Sequence, residues 1–129
     1  MSRKGIFLVL ASPSSPTPEG IEAFHQWYNG HHAPDVLNMP GWLSARRFKM
    51  ADEQLIPLRP IEPSFDFAAI YEIEDVTVIP DSRVLMGKLA KAYPDFFSPT
   101  VDSANLRAFV MEQIAEITEP NPLPAGFEL

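Results

Sequence analysis

The stretch from Trp27 to Trp42, "WYNGHHAPDVLNMPGW", carries two adjacent histidines with a carboxylate three positions after the second. An imidazole that titrates near neutral pH can take a proton from carbon or oxygen and return it elsewhere, which is the chemistry of isomerisation, dehydration and cyclisation. The same residues are also typical of a helix end, where a histidine stabilises free carbonyl groups and the negative end of the helix dipole. The sequence leaves both interpretations open.

His32 is the residue of this stretch best placed for acid–base chemistry. It follows Tyr28 by four positions, so that the imidazole and the phenol would lie on one helix face. Asp35 could orient the imidazole, although an aspartate at this position also caps a short helical turn. We predict His32 as a general acid–base, with Tyr28 and Asp35 as its catalytic partners.

The other histidines do not form a recognisable metal site with His32. His25 lies seven positions earlier, about 10 Å along a straight helix, which is too far for both rings to bind one ion. His31 is predicted on the neighbouring face, partly exposed, and the set His31, His32 and Asp35 lacks a known ligand spacing. The chain has no cysteine, which excludes thiolate zinc sites, iron–sulfur clusters and thiol nucleophiles. We predict no metal and no cofactor.

Hydrophobic patterns define the elements that must position these residues. The run "GIFLVLA" at 5–11 predicts a buried strand, and Thr17 is typical of the N-cap of a first helix. That helix is expected to end at the histidines, because Pro34 disfavours helical dihedrals at Ala33. The further predicted elements are strands at 42–50, 67–74 and 107–117 and a second helix from Pro80 to Tyr93, with an inward stripe of Val84, Leu85, Leu89 and Ala90.

The order strand, helix, strand, strand, helix, strand predicts an α+β, ferredoxin-like βαββαβ fold, with two helices on one face of a four-stranded antiparallel sheet. One domain would span 1–129, with a C-terminal tail at 118–129 and a long proline-rich loop at 51–66. The first and third strands are apolar on both sides, so the face without helices needs a cover. A two-fold homodimer is the simplest one, and we predict a homodimer.

The predicted strands also supply candidate ligand contacts. Arg46 shares its predicted strand face with Trp42, and in an apolar cavity its guanidinium would hold a carboxylate or an enolate. An ion pair with one of the 17 acidic residues is the alternative, and Arg47 takes the role if the faces are reversed. Tyr71 is either a cavity wall with a hydrogen-bonding hydroxyl or an ordinary core residue.

The net charge of −7 disfavours nucleic acid as a partner, because phosphate backbones would be repelled. Apolar runs such as "IFLVLA" are too short to cross a bilayer, and the N-terminal stretch lacks the features of a secretory signal. We therefore expect a cytoplasmic protein that does not bind membranes.

The segment "FHQWYNGHHAPDVLNMPGWLSARRF" resembles the EthD-like family of the dimeric α/β-barrel superfamily. The first helix of this family typically ends in an aromatic pair, a histidine, a proline and an acidic residue before a Pro-Gly turn. The matching residues here are Trp27, Tyr28, His32, Pro34, Asp35, Pro40 and Gly41. The chain departs from the pattern at His31 and in the loop after the second strand. The wider superfamily includes lactone isomerases, cofactor-free monooxygenases, polyketide cyclases and haem enzymes, so the resemblance implies a fold more than one activity.

We interpret the chain as an EthD-like protein that binds a small organic molecule. Cofactor-free acid–base chemistry of the isomerase, cyclase or lyase type, on a cyclic or aromatic metabolite, is the predicted activity. A non-catalytic binding or accessory protein is one alternative. A cofactor-free monooxygenase is another, and there Trp27 and Trp42, both predicted to contact the substrate, would be important.

Overall fold

The computed structural model describes residues 2–56 and 65–129. Its main elements are the strands β1 (Gly5–Ala11), β2 (Trp42–Lys49), β3 (Phe67–Ile73) and β4 (Arg107–Glu112), and the helices α1 (Pro18–Trp27), α2 (Ala33–Val36) and α3 (Ile79–Ala92). A π-helical turn, Tyr28–His32, joins α1 directly to α2. The predicted order of strands and helices is confirmed. Of the predicted proline-rich loop, residues 57–64 lie outside the described residues.

The four strands form one antiparallel sheet in the order β2-β3-β1-β4. Its inner face packs against α1 and α3, and there Val9 pairs with Ala69 on one side and Ala108 on the other. The buried core consists of Val9, Ala11, Phe24, Trp27, Tyr28, Ala33, Val36, Met39, Trp42, Ala69, Tyr71, Ile73 and Phe96. The α+β ferredoxin-like fold is therefore confirmed.

A β-bulge near the start of β2 reverses the faces of the residues that follow it. Trp42 pairs with Ile73 and Ser44 with Glu72, so one residue of β2 is left without a partner between them. A slip of one residue moves every later side chain to the opposite face. Arg47, opposite Ala69, therefore faces inward with Trp42, whereas Arg46 lies on the outer face. The prediction that Arg46 and Trp42 share a face is wrong.

The first helix begins as predicted but continues past its predicted end. The Thr17 hydroxyl accepts a hydrogen bond from the Gly20 N–H at 3.1 Å. Ala33 has helical dihedrals, and its N–H donates to the Tyr28 carbonyl five residues earlier. Because this wider turn precedes Pro34, whose nitrogen has no hydrogen to donate, the helix accommodates the proline and runs on to Val36.

The second half of the chain departs from prediction at two places. On α3, Leu85, Met86, Leu89 and Ala90 pack against the core, whereas Val84 is 60% exposed and does not belong to the inward stripe. β4 ends at Glu112, and residues 113–129 are exposed and contain neither helix nor strand. Within the described ranges, no helix is both long and apolar enough to cross a membrane.

Candidate functional site

A cavity of about 220 Å³ lies between the first helix and the inner face of the sheet. Its walls come from β1, the π turn, β3, α3 and the segment that leads into β4. The lining residues are Phe7, Val9, Trp27, Tyr28, His32, Val36, Tyr71, Met86, Phe97, Ser98, Val101, Ser103, Leu106 and Ala108. Among these lining side chains, only the imidazole of His32 can carry a charge near neutral pH. The cavity therefore suits an uncharged and largely apolar ligand.

His32 is fixed in one orientation at the wall of this cavity. Its Nδ1 lies 2.9 Å from the carbonyl oxygen of Phe96. Because a carbonyl only accepts hydrogen bonds, Nδ1 must carry the proton, and in the neutral ring Nε2 is left with a free lone pair. The ring stacks on Trp27 with centroids 4.6 Å apart. Burial lowers the pKa of His32, against smaller opposing effects of the Phe96 carbonyl and Asp35, which favours the neutral ring that a general base requires.

Two buried tyrosines line the same cavity as the imidazole. Tyr28 meets the His32 ring edge-on with centroids 5.4 Å apart, and Tyr71 is only 1% exposed. Among the described residues, the Tyr71 hydroxyl is buried and makes no hydrogen bond of ordinary geometry, although the Tyr28 phenol is close enough to affect its pKa. Burial raises the pKa of both phenols, so they remain protonated donors. A ligand oxygen in the cavity would satisfy the unpaired Tyr71 hydroxyl.

The segment after α3 completes the site, and sequence reasoning missed it. The Asp95 carbonyl accepts a hydrogen bond from Trp27 Nε1 at 2.6 Å, next to the Phe96 carbonyl that holds His32. Phe97, 67% exposed, lines the cavity. The sequence "YPDFFSPT" is typical of a helix break. The adjacent pair Phe96 and Phe97 is the feature that could have indicated a contribution to an apolar cavity.

Four of the predicted site residues, Trp27, Tyr28, His32 and Tyr71, line the same cavity. Asp35 makes no side-chain hydrogen bond with His32 or with any other described residue, and the Phe96 carbonyl orients the imidazole instead. Trp42 is buried behind the cavity, edge-on to Tyr71, and its Nε1 donates to the Ser82 hydroxyl at 2.9 Å. It therefore supports the wall without lining it.

Neither arginine of β2 lines the cavity. Arg46 is exposed on the outer sheet face, beside Glu72 and Met111. Arg47 points into the helix layer, where its Cζ lies 4.4 Å from the centre of the Tyr28 ring. It opens on a separate groove between α1 and β2.

The remaining histidines lie outside the cavity. His31 is exposed, with Nδ1 3.5 Å from a carboxylate oxygen of Asp95. His25 contacts Arg47, and burial followed by the Arg47 charge lowers the pKa of His25. The part of the chain that the structure describes contains no group of three histidine, aspartate or glutamate side chains placed to hold a metal ion.

No protein-family model and no curated protein matches the chain. Solved structures match its fold. An ethyl tert-butyl ether D (EthD) family protein from Bacillus halodurans superposes with a TM-score of 0.52 at 17% identity, over 85% of this chain and 99% of the other. A dimeric ferredoxin-like protein from an uncultured marine organism superposes with a TM-score of 0.57 at 10% identity, over 91% of this chain and 100% of the other. A cofactor-independent oxygenase from Streptomyces nogalater superposes with a TM-score of 0.51 at 13% identity, over 92% of this chain and 100% of the other.

At these identities the likeness concerns the fold and does not extend to activity. The similarity to EthD-like proteins expected from residues 24–48 is thus confirmed as a similarity of fold. The chain has the ferredoxin-like fold seen in an EthD family protein and in dimeric ferredoxin-like proteins.

Proposed function

We propose that the cavity beside His32 binds a small, uncharged cyclic or aromatic molecule and that His32 moves a proton on it. The observation that carries this proposal is the pairing of a donor and an acceptor in one apolar cavity. The Tyr71 hydroxyl has no partner among the described residues, and the contact of Nδ1 with Phe96 leaves Nε2 of His32 as the free base. The cavity volume equals that of roughly seven water molecules at about 30 Å³ each, which sets the scale of the ligand.

The proposed step is a proton transfer that needs no cofactor. Neutral Nε2 of His32 takes a proton from a carbon or oxygen next to a carbonyl group of the ligand. The hydroxyl of Tyr71 donates a hydrogen bond to the oxygen on which negative charge develops. The Phe96 carbonyl stabilises the transient imidazolium through Nδ1–H, and Nε2 then returns its proton to another atom of the ligand. An isomerisation or a cyclisation would result.

A non-catalytic binding protein is the second candidate. It is favoured because the Asp35 carboxylate makes no hydrogen bond with His32. Histidines that act as bases are often held by a carboxylate, whereas His32 is held by a backbone carbonyl. In this case the same cavity would carry a metabolite, and His32 and Tyr71 would only fix its orientation.

Cofactor-free oxygenation is the third candidate. A cofactor-independent oxygenase shares the fold, and Trp27 lines the cavity stacked on His32. Oxygen consumption with quinols distinguishes this candidate from the other two.

The test begins with ligand discovery and ends with turnover. Lactones, polyketide-like phenols and quinols are screened for a rise in the melting temperature, because a ligand selective for the native state stabilises it whatever the chemistry. Conversion of each hit is then followed with the wild type and with His32→Gln, and His31→Gln serves as the matched control outside the cavity. We expect His32→Gln to lower turnover by about 10²-fold or more. Full turnover by this variant would refute acid–base catalysis, and binding without turnover by the wild type would leave the second candidate.

We also propose that the protein acts as a homodimer in the cytoplasm. The outer faces of the two sheets would form the dimer interface. That face presents Ile6, Leu8, Leu10, Phe48, Ile70, Phe109 and Met111. No helix of the described ranges covers it, and Phe109 and Met111 are each about half exposed. Burying this surface against a second copy removes apolar area from water.

A further inference from the structure

We infer that the groove between α1 and β2 is a second binding site, in which Arg47 binds a small aromatic carboxylate. This site is separate from the cavity beside His32 and goes beyond the function proposed for that cavity. The groove is shallow and open to solvent, with a volume of about 710 Å³. It is lined by Glu22, His25, Gln26, Asn29, Gly30, Arg47, Phe48, Lys49 and Phe67.

The guanidinium of Arg47 is held rigidly by neutral groups. Its Nη1 donates to His25 Nδ1 at 3.1 Å and to Asn29 Oδ1 at 2.9 Å. Its Cζ lies 4.4 Å from the centre of the Tyr28 ring and 5.2 Å from that of Phe24. A cation fixed in this way loses little further conformational freedom when it binds an anion.

No described residue supplies the negative charge that such a cation normally has beside it. Arg47 is half-buried, and no carboxylate oxygen of the described residues lies within 4.0 Å of its nitrogens. Among the described residues, neither the buried Nε of Arg47 nor its Nη2 has a hydrogen-bond partner. A charge that is removed from water requires a partner of opposite charge. The chain has 17 acidic residues, yet none of the described ones pairs with Arg47.

The other charged groups of the groove leave it electropositive. Among the described residues that line it, the only acidic one is Glu22, which accepts a hydrogen bond from Gln26 at 3.0 Å instead of pairing with Arg47. Lys49 lines the same groove and adds a second cation. A carboxylate at Nη2 of Arg47 would therefore form a charge-assisted hydrogen bond with a second cation nearby.

The walls of the groove favour an aromatic body on this anion. The His25 and Phe67 rings meet edge-on with centroids 4.7 Å apart and give the groove an aromatic wall. A flat ring can stack on these groups while its carboxylate reaches the guanidinium. An aryl carboxylate matches both the charge and the shape of the site.

The primary test compares benzoate with benzamide, which has the same shape and no charge, as ligands of the wild-type protein. Each is titrated while the backbone amide signals of Asn29, Gly30 and Arg47 are followed by NMR. We expect saturable shifts with benzoate and at least tenfold weaker binding of benzamide. Equal affinity for the two, or no saturation by benzoate at tens of millimolar, would refute an anion site.

Variants then locate the site. Arg47→Gln should abolish benzoate binding, while Arg46→Gln, the neighbouring arginine on the outer face, should leave it unchanged. Asn29→Asp supplies a carboxylate beside the guanidinium without removing it, so this variant should weaken benzoate at least tenfold even if Arg47→Gln does not fold. Benzoate binding that survives Asn29→Asp, or that disappears in His32→Gln, would place the anion elsewhere and overturn the inference.

Discussion

At the scale of single residues, the Tyr71 hydroxyl in the cavity has no hydrogen-bond partner among the described residues. A buried polar group without a partner destabilises the native state by about 1–3 kcal/mol. The Tyr71 hydroxyl is such a group, although the ring itself packs between Phe7 and Trp42. The ring therefore stabilises the fold, and the hydroxyl is explained better by binding.

Tyr71→Phe separates these two contributions. We expect the free energy of unfolding without ligand to stay the same or to rise by about 1 kcal/mol, because the unpaired hydroxyl is removed. Affinity for a cavity ligand with a carbonyl or hydroxyl oxygen should fall about 5- to 10-fold, the effect of one lost hydrogen bond. Urea denaturation and calorimetric titration measure the two quantities. Tyr93→Phe, a tyrosine outside the cavity, is the control, and a parallel loss of stability and affinity in Tyr71→Phe would contradict the prediction.

The lowered pKa of His32 predicts a pH dependence of stability. Because burial keeps the native ring neutral, the unfolded chain binds the proton first as the pH falls below about 6.5. The free energy of unfolding should therefore decrease from pH 7 toward pH 5, and His25, whose pKa is also lowered, contributes in the same direction. Denaturation curves of wild type and His32→Gln over this range test the effect. An equally steep decrease in the variant would rule out His32 as a source.

Sequence reasoning at this scale succeeded where the relevant contacts are local. The spacing of Tyr28 and His32 along one helix predicts that they meet, and their rings do. It failed for the Phe96 carbonyl, which lies 64 residues away and is a backbone group that no side-chain pattern reveals. It also failed for Arg46, because a β-bulge depends on strand pairing and leaves no mark in the alternation of residues.

At the scale of elements, the π turn from Tyr28 to His32 decides how the site is built. It carries the first helix past Pro34, where a regular helix would have stopped, and so places both Tyr28 and His32 at the cavity wall. The presence of a helix here was predictable from its Thr17 cap and apolar spacing. Its true end was not, because the extra residue of a π turn cannot be recognised from propensity.

Gly30 lies within this turn and does not need to be glycine. A methyl group at its Cα would meet no atom within 4 Å beyond its chain neighbours and the backbone of its own helix, and its φ is not positive. Gly30→Ala should therefore raise the free energy of unfolding by about 0.5–1 kcal/mol, because alanine loses less backbone entropy on folding.

Gly41→Ala is the matched comparison for this substitution. Gly41 has φ +84°, and a Cβ there would lie 3.0 Å from a methyl carbon of Val78, so we expect a loss of about 1–3 kcal/mol. Urea denaturation of both variants measures the contrast. Destabilisation by Gly30→Ala would show that the π turn requires the flexibility of glycine.

At the scale of the whole molecule, the sheet has one face packed by helices and one face whose centre is apolar. Leu8 on β1 pairs with Ile70 on one side and Phe109 on the other, so three large apolar side chains are adjacent at the centre of the outer face. The apolar character of β1 and β3 predicted this surface from sequence. What could not be predicted is the extent of β4, because residues 113–117 continue its apolar pattern yet lie outside the strand.

Phe109→Glu should convert the proposed homodimer into a monomer, because a carboxylate at the centre of the outer face would be buried without a partner in the dimer. Val84→Glu is the matched control: Val84 is similarly exposed, at 60% against 50% for Phe109, but it lies on α3 at the opposite side of the sheet. Sedimentation equilibrium at micromolar concentration should give twice the chain mass for wild type and Val84→Glu, and the single mass for Phe109→Glu. Circular dichroism confirms that the variants are folded. A wild-type protein that sediments as a monomer would contradict the proposed homodimer.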